Sequence, residues 1–88
     1  MTMQVIWSMH AKHRFAERAV LYGINYAEIE LAIKAQKVKI KQEKNKYKTI
    51  FDIQKIMITA VKAETKEYIH VLTLWEANEA EVEIWKKK

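Results

Sequence analysis

At Lys37–Gln42 the chain reads "KVKIKQ", and here the spacing of its apolar residues changes. Upstream they recur three and four apart. Within this stretch Val38 and Ile40 alternate with Lys37, Lys39 and Lys41, so an extended segment would have one apolar and one cationic side. A helical first half therefore gives way to a strand-rich second half.

Working back towards the start, Asn25 and Glu28 have the spacing of a capping box, and Ile29, Ala32 and Ile33 supply the buried stripe of a helix reaching about Gln36. Before it, Ser8 is a good N-cap for a helix whose apolar stripe is Ala11, Phe15, Ala19 and Tyr22, and Gly23 offers the left-handed residue that ends it. "MQVIW" is rich in β-formers and reads as a strand over about residues 3 to 7.

Working forward, "EKNK" is a polar turn and "YKTIFDI" puts Tyr47, Thr49, Phe51 and Ile53 on one face. "DIQK" is the next reversal, and "KIMITAVKA" and "EYIHVLTLW" are two strongly apolar strands joined through "ETK". The final "EANEAEVEIWKKK" suits either a strand, by its Val82 and Ile84, or a helix, by its Ala and Glu. The fold expected is α+β in the order β-α-α-β-β-β, with room for one more strand. Two N-terminal helices pack on one face of an antiparallel sheet.

Length and composition narrow the function classes. With 88 residues, half of them hydrophobic, the chain builds one core, and residues 1 to 88 read as a single domain with Lys86–Lys88 as a disordered basic tail. It has no cysteine, which removes disulfides, thiolate metal sites and cysteine nucleophiles. No apolar run has the length of a membrane span and no signal peptide is evident, so a cytoplasmic protein is expected. The net charge is +5, or +2 without the three terminal lysines. Between Lys34 and Lys48 seven lysines are interrupted by a single acid, Glu43. Such a segment attracts a polyanion, though edge strands also carry lysine simply to prevent aggregation.

The first helix carries the chemistry-bearing cluster "HAKHRFAER", His10–Arg18. His10, Arg14 and Arg18 are spaced by four and form a shallow row, with His13 and Glu17 beside it. Arginine grips phosphate through paired N–H donors, and imidazole moves protons near neutral pH. In a phosphodiester-cleaving reading His10 or His13 is the general acid or base, Arg14 and Arg18 stabilise transition-state charge, and Glu17 orients a neighbour. RNA is the easier substrate, because its 2′-hydroxyl can be the nucleophile and no metal is required. The plainer reading is a solvated helix face with ordinary pairs such as His13 with Glu17. A metal shared by His10, His13 and His70 is disfavoured by the cationic Arg14 among them and by the lack of a second carboxylate.

His10, Ala11, Arg14, Arg18, Gly23, Ile24, Glu28 and Ile29, with "VLTLW" at 71 to 75, resemble the domain-of-unknown-function family 4258. The likeness spans roughly residues 8 to 76. In that family the glycine tends to follow the second arginine directly, whereas "AVLY" intervenes here. The element order is in turn similar to RelE, ParE and BrnT toxins, many of them small basic ribonucleases of toxin–antitoxin systems. That resemblance implies an endoribonuclease that needs no cofactor, with His10, Arg14, Arg18, His13 and Glu17 as its site. Lys12, Lys39, Lys41, Lys46 and Lys48 would bind nucleic acid, and an acidic antitoxin protein would be a partner. The alternative is a non-enzymatic module of a mobile element or virus that binds nucleic acid or protein through the same surface.

Overall fold

A computed structural model of the chain describes residues 4–18, 22–35 and 38–88. The elements run β1 (Gln4–Trp7), α1 (Met9–Arg18), α2 (Tyr26–Ala35), β2 (Val38–Lys41), β3 (Lys46–Ile53), β4 (Ile56–Glu64), β5 (Tyr68–Glu76) and α3 (Glu79–Lys86). This is the expected α+β order with a helix at its end. Met3, Gln36 and Lys37, which the sequence places at element boundaries, and Ala19 of the first helix's apolar stripe lie outside the described residues.

The strands form one sheet in the order β1-β5-β4-β3-β2. Four consecutive strands, β2 to β5, pair antiparallel through short reversals, and β1 joins β5 in parallel, Gln4 opposite Tyr68 and Trp7 opposite Val71. The sheet is therefore mixed. The two helices carry the chain across one face from β1 to β2 at the opposite margin, and the antiparallel strands then return to bring β5 beside β1.

One face of the sheet carries the main core. Phe51, Ile53, Ile58, Ala60, Ile69, Val71 and Leu74 pack against Ala11 and Phe15 of α1, Ile24, and Ile29 and Ile33 of α2. Trp7, Phe15 and Tyr26 lock the three N-terminal elements together. Phe15 stacks on Tyr26 at 4.1 Å between ring centroids, and Trp7 meets each edge-on. The Trp7 indole N–H also donates to Glu30 Oε2 at 2.9 Å.

Local signals position these elements. At α2 the Asn25 side chain accepts the Glu28 N–H, and Glu28 reaches back to the Asn25 N–H, the reciprocal cap read from the sequence. Gly23 has φ +73°, which a side chain would resist. At the β3–β4 reversal Gln54 (φ 46°) and Lys55 (φ 73°) both take left-handed backbone without being glycine. Positive φ at both central residues is the geometry of a type I′ hairpin turn.

The terminal segment is helical, and it lies on the opposite face of the sheet from α1 and α2. Asn78 and Glu81 form a second capping box. Glu81 is almost wholly buried, yet it accepts from the Asn78 N–H (2.9 Å) and the Trp75 indole N–H (3.0 Å) and pairs with Lys48 (2.9 Å). Beneath lie Val38, Ile50 and Thr59, all fully buried. α3 thus docks largely through a carboxylate. Among the described residues no helix is long and apolar enough to cross a membrane.

Candidate nucleic-acid interface

The first helix is fixed at its start by one hydroxyl. Ser8 Oγ accepts the Ala11 N–H at 3.0 Å and donates to the Leu72 carbonyl at 2.9 Å, so the cap of α1 is also a tie to β5. Ala11 and Phe15 then face the sheet, and the other sides of the helix are left to solvent.

His10, Lys12, His13, Arg14 and Glu17 are all exposed. His13 Nε2 lies 3.1 Å from Glu17 Oε1, with 77 % of the His13 side chain exposed. A pair so placed on a helix surface contributes only ~0.3–0.5 kcal/mol to stability. A turn of ~100° per residue puts Arg14 on the flank nearest β5 and Lys12 on the opposite flank. Arg14 there meets Leu74, Trp75, Glu76 and Ala77 around a cleft of about 310 Å³. Arg18 is the last residue of α1, and its side chain lies outside the described part of the structure.

The lysines do not form one track with this helix. α1 packs on β5, whereas β2 is three strands further along the sheet, a separation of about 14 Å at the usual strand spacing. Lys39 and Lys41 pair in register with Thr49 and Tyr47, and Lys48 with Ile40. Strand alternation therefore sends Lys39 and Lys41 to the face shared with α2, and Lys46 and Lys48 to the face under α3. Lys39 is held by Glu64 at 2.9 Å and lies over the Tyr47 ring at 4.2 Å. Lys48 is held by Glu81 and lies 5.9 Å from the Trp75 ring centroid.

A buried ionic cluster, absent from the sequence-derived set, joins these elements. Lys62 has no exposed surface, yet its ammonium is 2.8 Å from Glu64 Oε2 and 3.5 Å from the carbonyl of Ile33 near the end of α2. Burial drives the Lys62 pKa below the ordinary lysine range, although its hydrogen bond to Glu64 pulls the other way. At Glu64 burial works to raise the pKa, but the bonds from Lys62 and Lys39 outweigh it and hold the carboxyl below the usual range. Glu81 is lowered in the same manner, its burial outweighed by the Asn78 N–H, Lys48 and Trp75. The signal for Lys62 was its parity with Ile58 and Ala60 in "IMITAVKA". The signal for Glu81 was the Asn78–Glu81 spacing, which repeats that of Asn25–Glu28.

His70 lies in β5, opposite Ala63 and Ile6. Among the described residues no group of three or more His, Asp or Glu is placed to hold a metal ion.

With this geometry in hand, comparison with known proteins gives one structural likeness. No family model matches the chain, so the resemblance to family 4258 has no support from one, and no curated relative matches it. Among solved structures, the ribonuclease toxin BrnT of Brucella abortus is similar, with a TM-score of 0.65. The alignment covers 89 % of this chain and 100 % of that one, at 15 % identity. This chain therefore has the BrnT-like, and by extension RelE-like, fold expected from its element order.

Proposed function

We propose that this chain is a toxin-like RNA-binding domain that cleaves RNA without a metal ion, with α1 as its working surface. The observation that carries the reading is the placement of Arg14, which α1 brings to a concave wall beside β5 while His10 and His13 stay accessible on the same helix. The likeness to a ribonuclease toxin supports the same class. In the reaction, His10 or His13 takes the proton of a 2′-hydroxyl, whose oxygen bonds to the adjacent phosphorus. The bond to the 5′-oxygen breaks as that oxygen takes a proton from the imidazolium, either the histidine that served as base or its neighbour, leaving a 2′,3′-cyclic phosphate and a 5′-hydroxyl. Arg14, with Arg18 one turn on, balances the added phosphorane charge, and Glu17 steadies His13.

Lys12 and the lysines at 39, 41, 46 and 48 supply attraction for the RNA backbone, the latter four from both faces of the β2–β3 margin. A basic surface of this kind also suits an acidic antitoxin protein as partner, and the absence of a cysteine suits a cytoplasmic setting. The test is turnover of single-stranded RNA in excess chelator. His10→Ala, His13→Ala and Arg14→Ala should each slow cleavage at least tenfold, and unchanged rates in all three would discard the site. Removing Lys41, which is exposed, should flatten the salt dependence of RNA affinity by about 0.7 log units per decade of salt, and removing Lys39, already paired with Glu64, by less.

A second reading, a binding module without turnover, is favoured by the 77 % exposure of His13. Electrostatic catalysis gains most from groups shielded from water, and His13 is not shielded. RNA retained intact at saturating protein would select this reading.

A further inference from the structure

The two strands at one margin of the sheet differ in length, and the difference leaves a step. β1 has four residues and β5 has nine, and their pairing ends at Trp7 opposite Val71. Ser8 extends the contact slightly, its N–H donating to the Val71 carbonyl at 3.0 Å and its hydroxyl to the Leu72 carbonyl. The chain then turns away into α1. Beyond that point Thr73–Glu76 pair with β4 on one side, and among the described residues no strand flanks them on the other. Here β5 also carries an extra residue. Val61 faces Thr73 while Lys62 faces Val71, so Leu72 is bulged and the remainder of the strand is re-aimed. The cleft of about 310 Å³ lined by Leu74, Trp75, Glu76, Ala77 and Arg14 is this step.

We infer that the free margin of β5 at Thr73–Glu76 is a docking site for an extended segment of a second polypeptide, which adds to the sheet in line with β1 and places a carboxylate against Arg14. A strand margin offers N–H donors and carbonyl acceptors in alternation, repeating every two residues or about 6.8 Å. Another polypeptide backbone matches that alternation, and a phosphodiester backbone, which has no donors, does not. Natural sheets protect such margins with lysine, proline or very short strands. β1 and β2 are short, whereas Thr73–Glu76 carries neither lysine nor proline and the bulge at Leu72 lies before it, leaving these four residues in regular register with β4. Arg14 and Glu76 give the step one charge of each sign, so the guest has an acidic residue beside the first and a neutral or basic one beside the second. A basic chain adds long-range attraction for an acidic guest.

This inference does not rest on RNA cleavage, although a guest seated here would compete with RNA for Arg14. The test uses the full chain, isotope-labelled for NMR, with a capped peptide of alternating valine and threonine bearing one central glutamate. Expected are shifts centred on Thr73–Ala77 and Arg14, cross-strand contacts between peptide and β5, and at least tenfold slower amide exchange within Thr73–Glu76. The same peptide N-methylated on alternate residues should lose these effects. Replacing its glutamate by glutamine, or making Arg14→Ala, should each weaken binding about fivefold, the two together no more than one alone. Shifts confined to other surfaces, no response at saturating peptide, or equal binding of the N-methylated form would overturn the proposal. So would a single-stranded oligonucleotide that protects these same amides better than the peptide does. Loss of RNA turnover in other variants would leave all of these readouts unchanged.

Discussion

Neutralising Glu64 and removing Lys62 should have very different effects, although the two changes break the same ion pair. In Glu64→Gln the Lys62 ammonium stays fully buried and loses a carboxylate 2.8 Å away. At an effective dielectric of ~20 that attraction amounts to about 6 kcal/mol. The loss is capped, because the lysine can shed its proton instead, and doing so at pH 7 costs about 4–5 kcal/mol relative to the unfolded chain. The expected destabilisation is therefore about 3–5 kcal/mol, a large part of the ~5–15 kcal/mol of a typical domain. Lys62→Met preserves most of the volume and removes the buried charge. Glu64 is then partly exposed and still held by Lys39 at 2.9 Å, so the change should stay within about 1 kcal/mol of neutral. Urea denaturation followed by tryptophan fluorescence at pH 7 measures both. Repetition at pH 9 should recover up to about 1.4 kcal/mol per pH unit in the Gln variant alone, because the freed lysine is then easier to deprotonate. Equal losses in the two variants, or a greater loss for Lys62→Met, would refute the assignment of charge burial as the dominant effect.

Three further outcomes are expected. Glu64 and Glu81 have lowered pKa values in the folded chain, so their contribution is complete above about pH 4.5 and is lost as pH falls through the folded values; an acid titration by circular dichroism should show this, and Glu81→Gln should shrink it. Replacing Gln54-Lys55 by Asn-Gly puts the residues a type I′ turn favours at both left-handed positions and, set against the lost Gln54–Glu28 hydrogen bond, should raise stability by up to about 1 kcal/mol in thermal melts. Ser8→Ala removes both the α1 cap and the bond to the Leu72 carbonyl; it should cost about 1–2 kcal/mol and speed amide exchange at the start of α1 more than elsewhere.

What the sequence revealed depended on how local the cause was. The switch of period at Lys37–Gln42, the Asn25–Glu28 cap and the left-handed backbone of Gly23 are decisions made within a few residues; β2 covers Val38–Lys41, the cap forms and Gly23 takes φ +73°. The helical end was equally local, since Asn78–Glu81 repeats the cap already read at α2, but the alternation of Val82 and Ile84 obscured it. The parallel seat of β1 was not legible, because it joins residues far apart and depends on how the antiparallel strands return to bring β5 beside it. The candidate site divides in the same way. That α1 exposes His10, His13, Arg14 and Glu17 follows from the burial of Ala11 and Phe15. That Lys39 and Lys48 point to opposite faces and are each taken by a carboxylate needed the strand register and two distant acids, Glu64 and Glu81.

The seat of β1 beside β5 also governs when the first helix can settle on the sheet. Gln4–Trp7 is made before its neighbour on the sheet, Tyr68–Val71, so β1 cannot pair until the intervening α1 to β4 have been made. Closing so long a loop is a late and slow event in folding. Because Ser8 ties α1 to that same neighbour, the surface bearing His10 and Arg14 takes its final place only once β5 has been made and has joined the sheet.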